Sequence, residues 1–403
     1  MKSLVISVGT GTRASRNATK NLAKAIVKSI RHHNPHKVYL VATKESIETT
    51  VQEIIPKIKP IESEIIQIEN PDNIQTIYEN LRSKIKEIRE KYDTLTVDYT
   101  SGTKAMTAAL AILATIFGAD ELSYITGKRE AGIVQHGTEQ IIPIRPYFII
   151  AEQKIKEAAQ FFNRNQFSTT IAILRQIKET TKDPDIISQI TPLLNLAKAY
   201  EQWDKFHHEK AYKIIRKIKI SDLSGNKQFL GMLVSNLRKT DGEPEPYYIA
   251  DLINNAERRA EESKYDDAVA RLYRTIELIA QYKLKKEYEI NTSSVDIEKI
   301  PKELLQKWGI PQDQKTIKLG LNNSYELLNA LGDALGQQCQ NDKKLKDLLS
   351  KRNTSILAHG QTPITKQTYI HLRRKTLEYA NATVRSLEQL IKNSKFIKWR
   401  QIP

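Results

Sequence analysis

The chain has 403 residues, enough for two or three domains that each bury a core, and its formal net charge is +16. A single cysteine, Cys339, excludes disulfides within the chain and argues against a cysteine zinc site, so we expect a reducing, cytoplasmic environment. No signal peptide is evident and no apolar run approaches the ~18 residues that span a bilayer, which predicts a soluble protein that does not bind membranes.

Residues 1–148 alternate short β-branched runs with helical stretches. This order predicts an α/β, Rossmann-like domain with a mostly parallel sheet and right-handed crossovers. The predicted strands are residues 3–8, 37–42, 64–68, 95–97 and 121–126, and the predicted helices are 19–33, 47–55, 73–92 and 105–117. Two further runs, 132–135 and 140–144, are separated by four turn-forming residues and predict a hairpin.

The strand pattern ends at Tyr147, and apolar residues then recur at helical spacing. The sequence Asp-Gly-Glu-Pro-Glu-Pro at 241–246 cannot continue a helix and marks a second boundary. Later helices are predicted over residues 249–262, 265–286, 325–335, 342–358 and 368–393. We therefore expect the α/β domain over 1–148, an all-α connector over 149–245, and an all-α domain over 246–403.

Two polar, glycine-containing loops follow predicted strands of the first domain. They are Gly9-Thr10-Gly11-Thr12 and Thr100-Ser101-Gly102-Thr103-Lys104. Because both loops lie at carboxyl ends of strands, we expect them to meet at the switch point of a doubly wound sheet, where backbone N–H groups, hydroxyls and one ammonium would bind phosphates. Neither loop has the full glycine spacing of a Walker A or dinucleotide-binding motif. Alone, Ser-Gly-Thr-Lys is typical of an ordinary capped turn.

Together the loops resemble those of CARF domains (CRISPR-associated Rossmann fold), which have a Gly/Thr loop after strand one and an Asp-x-Thr-Ser-Gly-Thr-Lys-x-Met turn after strand four, here residues 98–106. The resemblance implies a homodimer that binds a cyclic oligoadenylate across its two-fold axis, with four adenylates preferred on family frequency. It implies that the ring contacts Gly9, Thr10, Gly11, Thr12, Thr100, Ser101, Gly102, Thr103, Lys104, Thr126 and Gly127.

The last segment, 246–403, contains a second candidate site. It holds 27 basic and 19 acidic residues, a net +8, which favours a polyanion such as RNA, although a merely solubilising lysine-rich surface is equally compatible. Arg352 and His359 are seven positions apart on a predicted helix near residues 342–358, so two turns would return both side chains to one face, roughly 10 Å apart. The side chains expected to bury the opposite face are Leu345, Leu348, Leu349, Ile356 and Leu357.

This spacing, with Asn353 directly after the arginine, resembles the Arg-x4–6-His motif of HEPN ribonucleases, and residues 251–277 resemble the first two helices of CRISPR-associated HEPN domains. The resemblance implies catalytic roles for Arg352, Asn353 and His359 in a composite site formed by two subunits. An imidazole that titrates near neutrality suits proton transfer from the 2′-OH of RNA, and a guanidinium suits the phosphoryl oxygens. A helix cap with a surface salt bridge is the structural alternative.

We therefore expect a cytoplasmic, homodimeric endoribonuclease of type III CRISPR defence that cleaves single-stranded RNA and is activated by a cyclic oligoadenylate. We expect no metal, no other cofactor and no stable complex with the CRISPR effector. Two alternatives stay open at this point. The helical domain could bind nucleic acid without cutting it, or the CARF domain could also degrade its activator as a ring nuclease.

Overall fold

The computed structural model describes residues 1–11, 16–130, 133–134, 137–181, 183–311 and 313–400. The chain forms two compact units. The first comprises Met1–Ile155 and Thr180–Ile186, and the second comprises Lys156–Glu179 and Ile187–Pro403. None of the helices in the described part is long and apolar enough to cross a membrane.

The first unit is built on one six-stranded sheet. The strands of this unit are β1 (Lys2–Val8), β2 (Lys37–Thr43), β3 (Glu62–Ile68), β4 (Thr94–Asp98), β5 (Glu121–Thr126), β6 (Arg129–Glu130), β7 (Ile133–Val134) and β8 (Gln140–Ile144), and all of them except β6 and β7 belong to this sheet. The sheet order is β3-β2-β1-β4-β5-β8, and every pair is parallel except β5 with β8. The predicted α/β fold with a mostly parallel sheet is confirmed.

The predicted hairpin between residues 132–135 and 140–144 is wrong. β8 pairs with β5, whereas β7 pairs with β6 in a separate two-stranded ribbon. Pairing with β5 gives the β5 edge a neighbour and lets Ile144 pack against the core, which a free-standing hairpin would not do. Gly132, Gln135 and His136 lie outside the described residues.

Helices cover both faces of this sheet. They are α1 (Arg16–His33), α2 (Lys44–Ser46), a π-helical stretch (Ile47–Val51), α3 (Gln52–Ile58), α4 (Ile74–Lys91) and α5 (Lys104–Ile116). Leu4 and Ile6 of β1 share a core cluster with α1 and α3, whereas Val5 shares one with α4 and α5. Burial on both faces explains why these strands are continuous apolar runs in the sequence.

The remainder of the chain is almost entirely helical. Its helices are α6 (Tyr147–Asn163), α7 (Phe167–Thr180), α8 (Pro184–Asp204), α9 (His208–Ile215), α10 (Ser224–Arg238), α11 (Glu245–Glu261), α12 (Tyr265–Tyr288), α13 (Lys302–Lys307), α14 (Leu321–Ala330), α15 (Ala334–Asn341), α16 (Lys343–Asn353), α17 (Lys366–Thr383) and α18 (Leu387–Ser394). Single-turn 3-10 helices form at Ser221–Leu223 and Ile297–Lys299, and strands β9 (Val295–Asp296) and β10 (Thr316–Ile317) pair antiparallel.

Two of the predicted long helices are interrupted. Gly332, with a φ of 75°, lies between α14 and α15, and Ser386, with a φ of 57°, lies between α17 and α18. A left-handed residue ends a helix, so each predicted helix becomes two. The predicted helix over 342–358 is also too long, because α16 ends at Asn353.

The second unit contains an aromatic cluster that includes a residue close to the C-terminus. Phe396 stacks on the buried Tyr200 with ring centroids 4.0 Å apart, and its ring also contacts Trp203 at 5.1 Å. The Arg258 guanidinium carbon lies 3.9 Å from the Phe396 centroid. The segment after α18 is therefore part of the core of this unit.

Candidate functional site

The loops after β1 and β4 meet at the carboxyl edge of the sheet, where the strand order reverses. The Ser101 hydroxyl donates to the Ser7 carbonyl at 2.7 Å and accepts from the Gly9 N–H at 3.1 Å. A β-carbon on Gly9 would lie 2.8 Å from the Gly102 backbone nitrogen. Only glycine therefore allows this close approach of the two loops.

A cavity of about 530 Å³ opens beside these loops, within the roughly 300–1,000 Å³ of small-molecule sites. The predicted ligand residues in its wall are Gly9, Thr10, Gly11, Thr100, Ser101, Gly102 and Thr103. Lys104, Thr126 and Gly127 are described but do not form part of the wall, and Thr12 lies outside the described residues. Sequence reasoning missed the wall residues that α1, the end of β2, α2 and two further loops contribute, which include Asn21, Leu22, Thr43, Glu45, Ser46, Pro71 and Glu139.

Most of the loop hydroxyls are engaged within the protein. Thr103 is the N-cap of α5: its hydroxyl accepts from the Met106 N–H at 3.2 Å and donates to the Pro71 carbonyl. The Thr100 hydroxyl donates to Asp98 and accepts from the Ile125 N–H at 2.9 Å. These hydroxyls hold the loop in shape. The donors best suited to an anion are then the first backbone N–H groups of α5, which have no acceptor within the helix.

A buried carboxylate at the end of β4 fixes the Thr100–Lys104 loop. Asp98 is fully buried and accepts from the Thr100 N–H at 2.8 Å, from the Ser29 hydroxyl, and from the Ser123 hydroxyl at 3.2 Å. The Ser123 hydroxyl is also 3.0 Å from Nε2 of His33, and burial is the main cause that lowers the pKa of His33. This network ties the loop to the sheet and to α1.

In the second unit, Arg352 and Asn353 form the end of α16, and His359 lies in the loop that follows. The loop folds back on itself: the Ile356 N–H donates to the Thr362 carbonyl at 3.3 Å, and the His359 N–H donates to the Asn353 carbonyl at 3.2 Å. The prediction that Arg352 and His359 project from one face of a single helix is therefore wrong. A closed loop, not a second helical turn, returns the His359 backbone to the helix end.

Gly360 allows the loop after α16 to close. A β-carbon at Gly360 would lie 1.8 Å from the Thr354 carbonyl oxygen, so the loop can close only with glycine at this position. Leu345, Leu348 and Leu349 are buried as expected. The expectation that the apolar pair after them is also buried is wrong, because the loop carries Ile356 and Leu357 into solvent, with 56% and 57% of their surface exposed.

Arg352 is held differently from the arginines around it. Its guanidinium carbon lies 4.4 Å from the centroid of the Tyr273 ring, and its Nη1 donates to Asn353 Oδ1 at 3.2 Å. Within the described residues it has no carboxylate partner. By contrast, Arg274 on α12 forms an ion pair with Glu277 at 2.8 Å.

The His359 imidazole is exposed and makes no hydrogen bond to another described residue. An exposed imidazole can move a proton, and a guanidinium without a carboxylate partner in the described part of the chain can bind an anion. Among the described residues, no three His, Cys, Asp or Glu side chains are grouped so that they could hold a metal ion.

Three family models match the chain in consecutive ranges. The Card1 CARF domain matches residues 20–152, the Csm6 6H domain matches 150–242, and the Csm6 HEPN domain matches 238–383. The chain is a CARF–HEPN protein. Both halves of the family resemblance drawn from the sequence are thereby confirmed.

Solved structures with similar folds include Csm6 from Enterococcus italicus bound to cyclic hexa-2′-fluoro-hexa-dAMP. It matches this CARF–HEPN protein with a TM-score of 0.67 at 15% identity, over 98% of this chain and 99% of that chain. Can2 from Sulfobacillus thermosulfidooxidans in complex with cyclic tetra-adenylate matches at 13% identity over 98% and 97% of the two chains, but its TM-score is only 0.26. No curated protein sequence matches significantly.

Proposed function

We propose that this CARF–HEPN protein is an endoribonuclease of type III CRISPR defence that a cyclic oligoadenylate activates. The proposal rests on the occurrence of both parts in one chain. The matched CARF region has a cavity lined by the two loops, and the matched HEPN region has an arginine at a helix end that has no carboxylate partner among the described residues. Its parts are the CARF domain over 1–148, the connector over 149–245 and the HEPN domain over 246–403.

The ring binds at the cavity in the first unit. Gly9, Gly11 and Gly102 allow the backbone to approach phosphates, and the N–H groups of the first two residues of α5 have no acceptor within the helix. Family frequency favours four adenylates, whereas the Enterococcus italicus Csm6 structure contains a ring of six nucleotides, so both sizes are candidates. Lys104, Thr12, Thr126 and Gly127 complete the proposed contacts from beyond the described cavity wall.

RNA is cleaved at Arg352, Asn353 and His359 without a metal. One imidazole takes the proton of the 2′-OH as its oxygen attacks the phosphorus, and the imidazole of a second subunit gives a proton to the leaving 5′-oxygen. Arg352 binds the phosphoryl oxygens, where negative charge accumulates in the transition state. The products are a 2′,3′-cyclic phosphate and a 5′-hydroxyl.

This mechanism requires a homodimer, and the exposed pair Ile356 and Leu357 supports one. Both are more than half exposed on the loop that carries His359. Two large apolar side chains beside a charged site suit burial against a second copy of the same surface. We propose that the dimer works in the cytoplasm and forms no stable complex with the CRISPR effector.

A cleavage assay tests the proposal directly. Purified protein is incubated with labelled single-stranded RNA in EDTA, with and without rings of three to six adenylates. We expect cleavage that needs one ring size, persists in EDTA and yields cyclic-phosphate ends. Arg352→Ala and His359→Ala should each lower the rate at least 100-fold, as expected for groups that act in the transition state, while Arg274→Ala stays active.

Cleavage at the same rate without any ring would contradict activation, and full activity of Arg352→Ala would contradict the HEPN site. The two open alternatives have readouts of their own. RNA binding without cleavage would indicate a regulator, and loss of labelled ring in the His359→Ala protein would indicate a ring nuclease.

A further inference from the structure

The side chain of Tyr273 covers one face of the Arg352 guanidinium, with 4.4 Å between the guanidinium carbon and the ring centroid. Tyr273 lies on α12, and α16 packs against this helix. Both side chains are half-buried. We infer that Tyr273 is a positioning residue that orients the Arg352 guanidinium for RNA cleavage, an inference that rests on the proposed function.

An aromatic ring can hold a guanidinium without occupying its N–H groups, which a carboxylate cannot do. A carboxylate accepts from the N–H fork and cancels the positive charge, as Asp204 does for Arg258 at 2.8 Å and Glu257 does for Arg373 at 3.4 Å. An aromatic ring attracts the cation through its face and leaves the N–H edge open. Arg352 therefore keeps both its charge and most of its donors for a phosphoryl group.

The position of Arg352 at a helix end explains why its guanidinium needs a fixed contact such as the Tyr273 ring. It lies one residue before α16 ends, where an arginine side chain would otherwise sample many rotamers. Tyr273 lies about two turns inside the 24-residue helix α12, between the fully buried Leu272 and Ile276. A ring fixed by a rigid helix, with Asn353 Oδ1 as second contact, restricts the guanidinium to one place.

The test compares side chains at position 273 in the full-length protein with saturating ring activator. Tyr273→Phe keeps the aromatic side chain and should keep kcat within about twofold. Tyr273→Leu removes it and should lower kcat about 10-fold with little change in KM, as expected for contacts made in the transition state. Phenylalanines with one, three and five ring fluorines keep the shape but weaken the negative ring face. We expect kcat to fall stepwise along this series.

Tyr288 provides the matched control. It is also half-buried on α12, its hydroxyl donates to Asp333 at 3.0 Å, and it lies 15 residues, or about 22 Å, along the helix from Tyr273. Tyr288→Leu should leave kcat unchanged.

A constant kcat across the fluorinated series, with Arg352→Ala inactive, would overturn the role of Tyr273 and leave the proposed function intact. Full activity of Arg352→Ala would overturn both. The fluorinated proteins keep the test valid even if Tyr273→Leu folds poorly, because the ring stays in place throughout.

Discussion

Gly360 determines the backbone path through the candidate active site. A β-carbon there would meet backbone atoms of Thr354 at 1.8, 2.4 and 2.8 Å, so no side-chain rotation could relieve the clash. Gly360→Ala should therefore displace the loop that carries His359. Since a shift of about 1 Å can cost 100-fold in rate, we expect at least that loss in RNA cleavage, measured by single-turnover assay.

Gly320→Ala is the control for this substitution. Gly320 precedes α14 with a φ of −82°, and a β-carbon there would meet nothing within 4 Å. We expect normal cleavage from this variant and normal ring binding from both. An active Gly360→Ala protein would mean that the loop geometry does not matter for catalysis.

For single residues, the sequence predicted which residues form the two loops better than it predicted the contacts of their side chains. The residues of the β1 and β4 loops could be predicted to meet, because both follow neighbouring parallel strands. That the Ser101 and Thr103 hydroxyls bind protein carbonyls could not be predicted, since it depends on Ser7 and Pro71 from distant segments. The ring of Tyr273 over Arg352 was missed for the same reason, as 79 positions separate the two residues.

Among the structural elements, the short segment after α18 contributes a buried aromatic side chain to the core of the second unit. Phe396 is 8% exposed and contacts Tyr200, Trp203 and Arg258. Phe396→Ala removes these contacts and leaves a cavity, so we expect about 3–5 kcal/mol less free energy of unfolding. Urea unfolding monitored by tryptophan fluorescence measures this free energy, because Trp203 and Trp399 lie in this cluster.

Leu237→Ala is the apolar truncation for comparison. Leu237 is on α10 in the same unit, with 41% of its surface exposed, so its loss should change stability by no more than about 0.5 kcal/mol. Equal midpoints for the two variants would contradict a core role for the C-terminal segment.

Periodicity predicted where most elements lie but not where several of them end. The helix predicted over 342–358 was extended through Ile356 and Leu357 because these residues continue the apolar spacing. In the structure α16 ends at Asn353, and the chain forms a loop that needs glycine at position 360 to close. The break at Ser386 gave no sequence signal, because serine rarely adopts a positive φ and does so here only in its tertiary context.

For the whole molecule, the order of an α/β domain and helical domains follows from the sequence, because the short β-branched runs end at Tyr147 while the helical spacing of apolar residues continues, and this change is visible without tertiary contacts. The coupling between the two functions is not visible in that way. The proposed ring site lies in the first unit, whereas Arg352 and His359 lie in the second. Activation requires that the ring binds the active arrangement more tightly than the inactive one.

The distribution of tryptophans offers a direct test of that coupling. The chain has three, Trp203, Trp308 and Trp399, and all lie in the second unit. Adding the activating ring to the His359→Ala protein should therefore change tryptophan emission only if the second unit responds to a ligand bound by the first. We expect a saturable change with the same midpoint as ring binding measured by calorimetry.

Gly9→Ala is the control for this experiment, because its β-carbon would collide with the Gly102 nitrogen and force the two ligand loops apart. This variant should lose ring binding and the fluorescence change together, while RNA affinity, which depends on the basic second unit, stays the same. A different result would contradict coupling within one chain. The ring would bind the His359→Ala protein and raise its free energy of unfolding by the expected ~2.7 kcal/mol at 100 times Kd, but tryptophan emission and RNA affinity would not change. Activation would then have to act through the association of subunits rather than through a change within each chain.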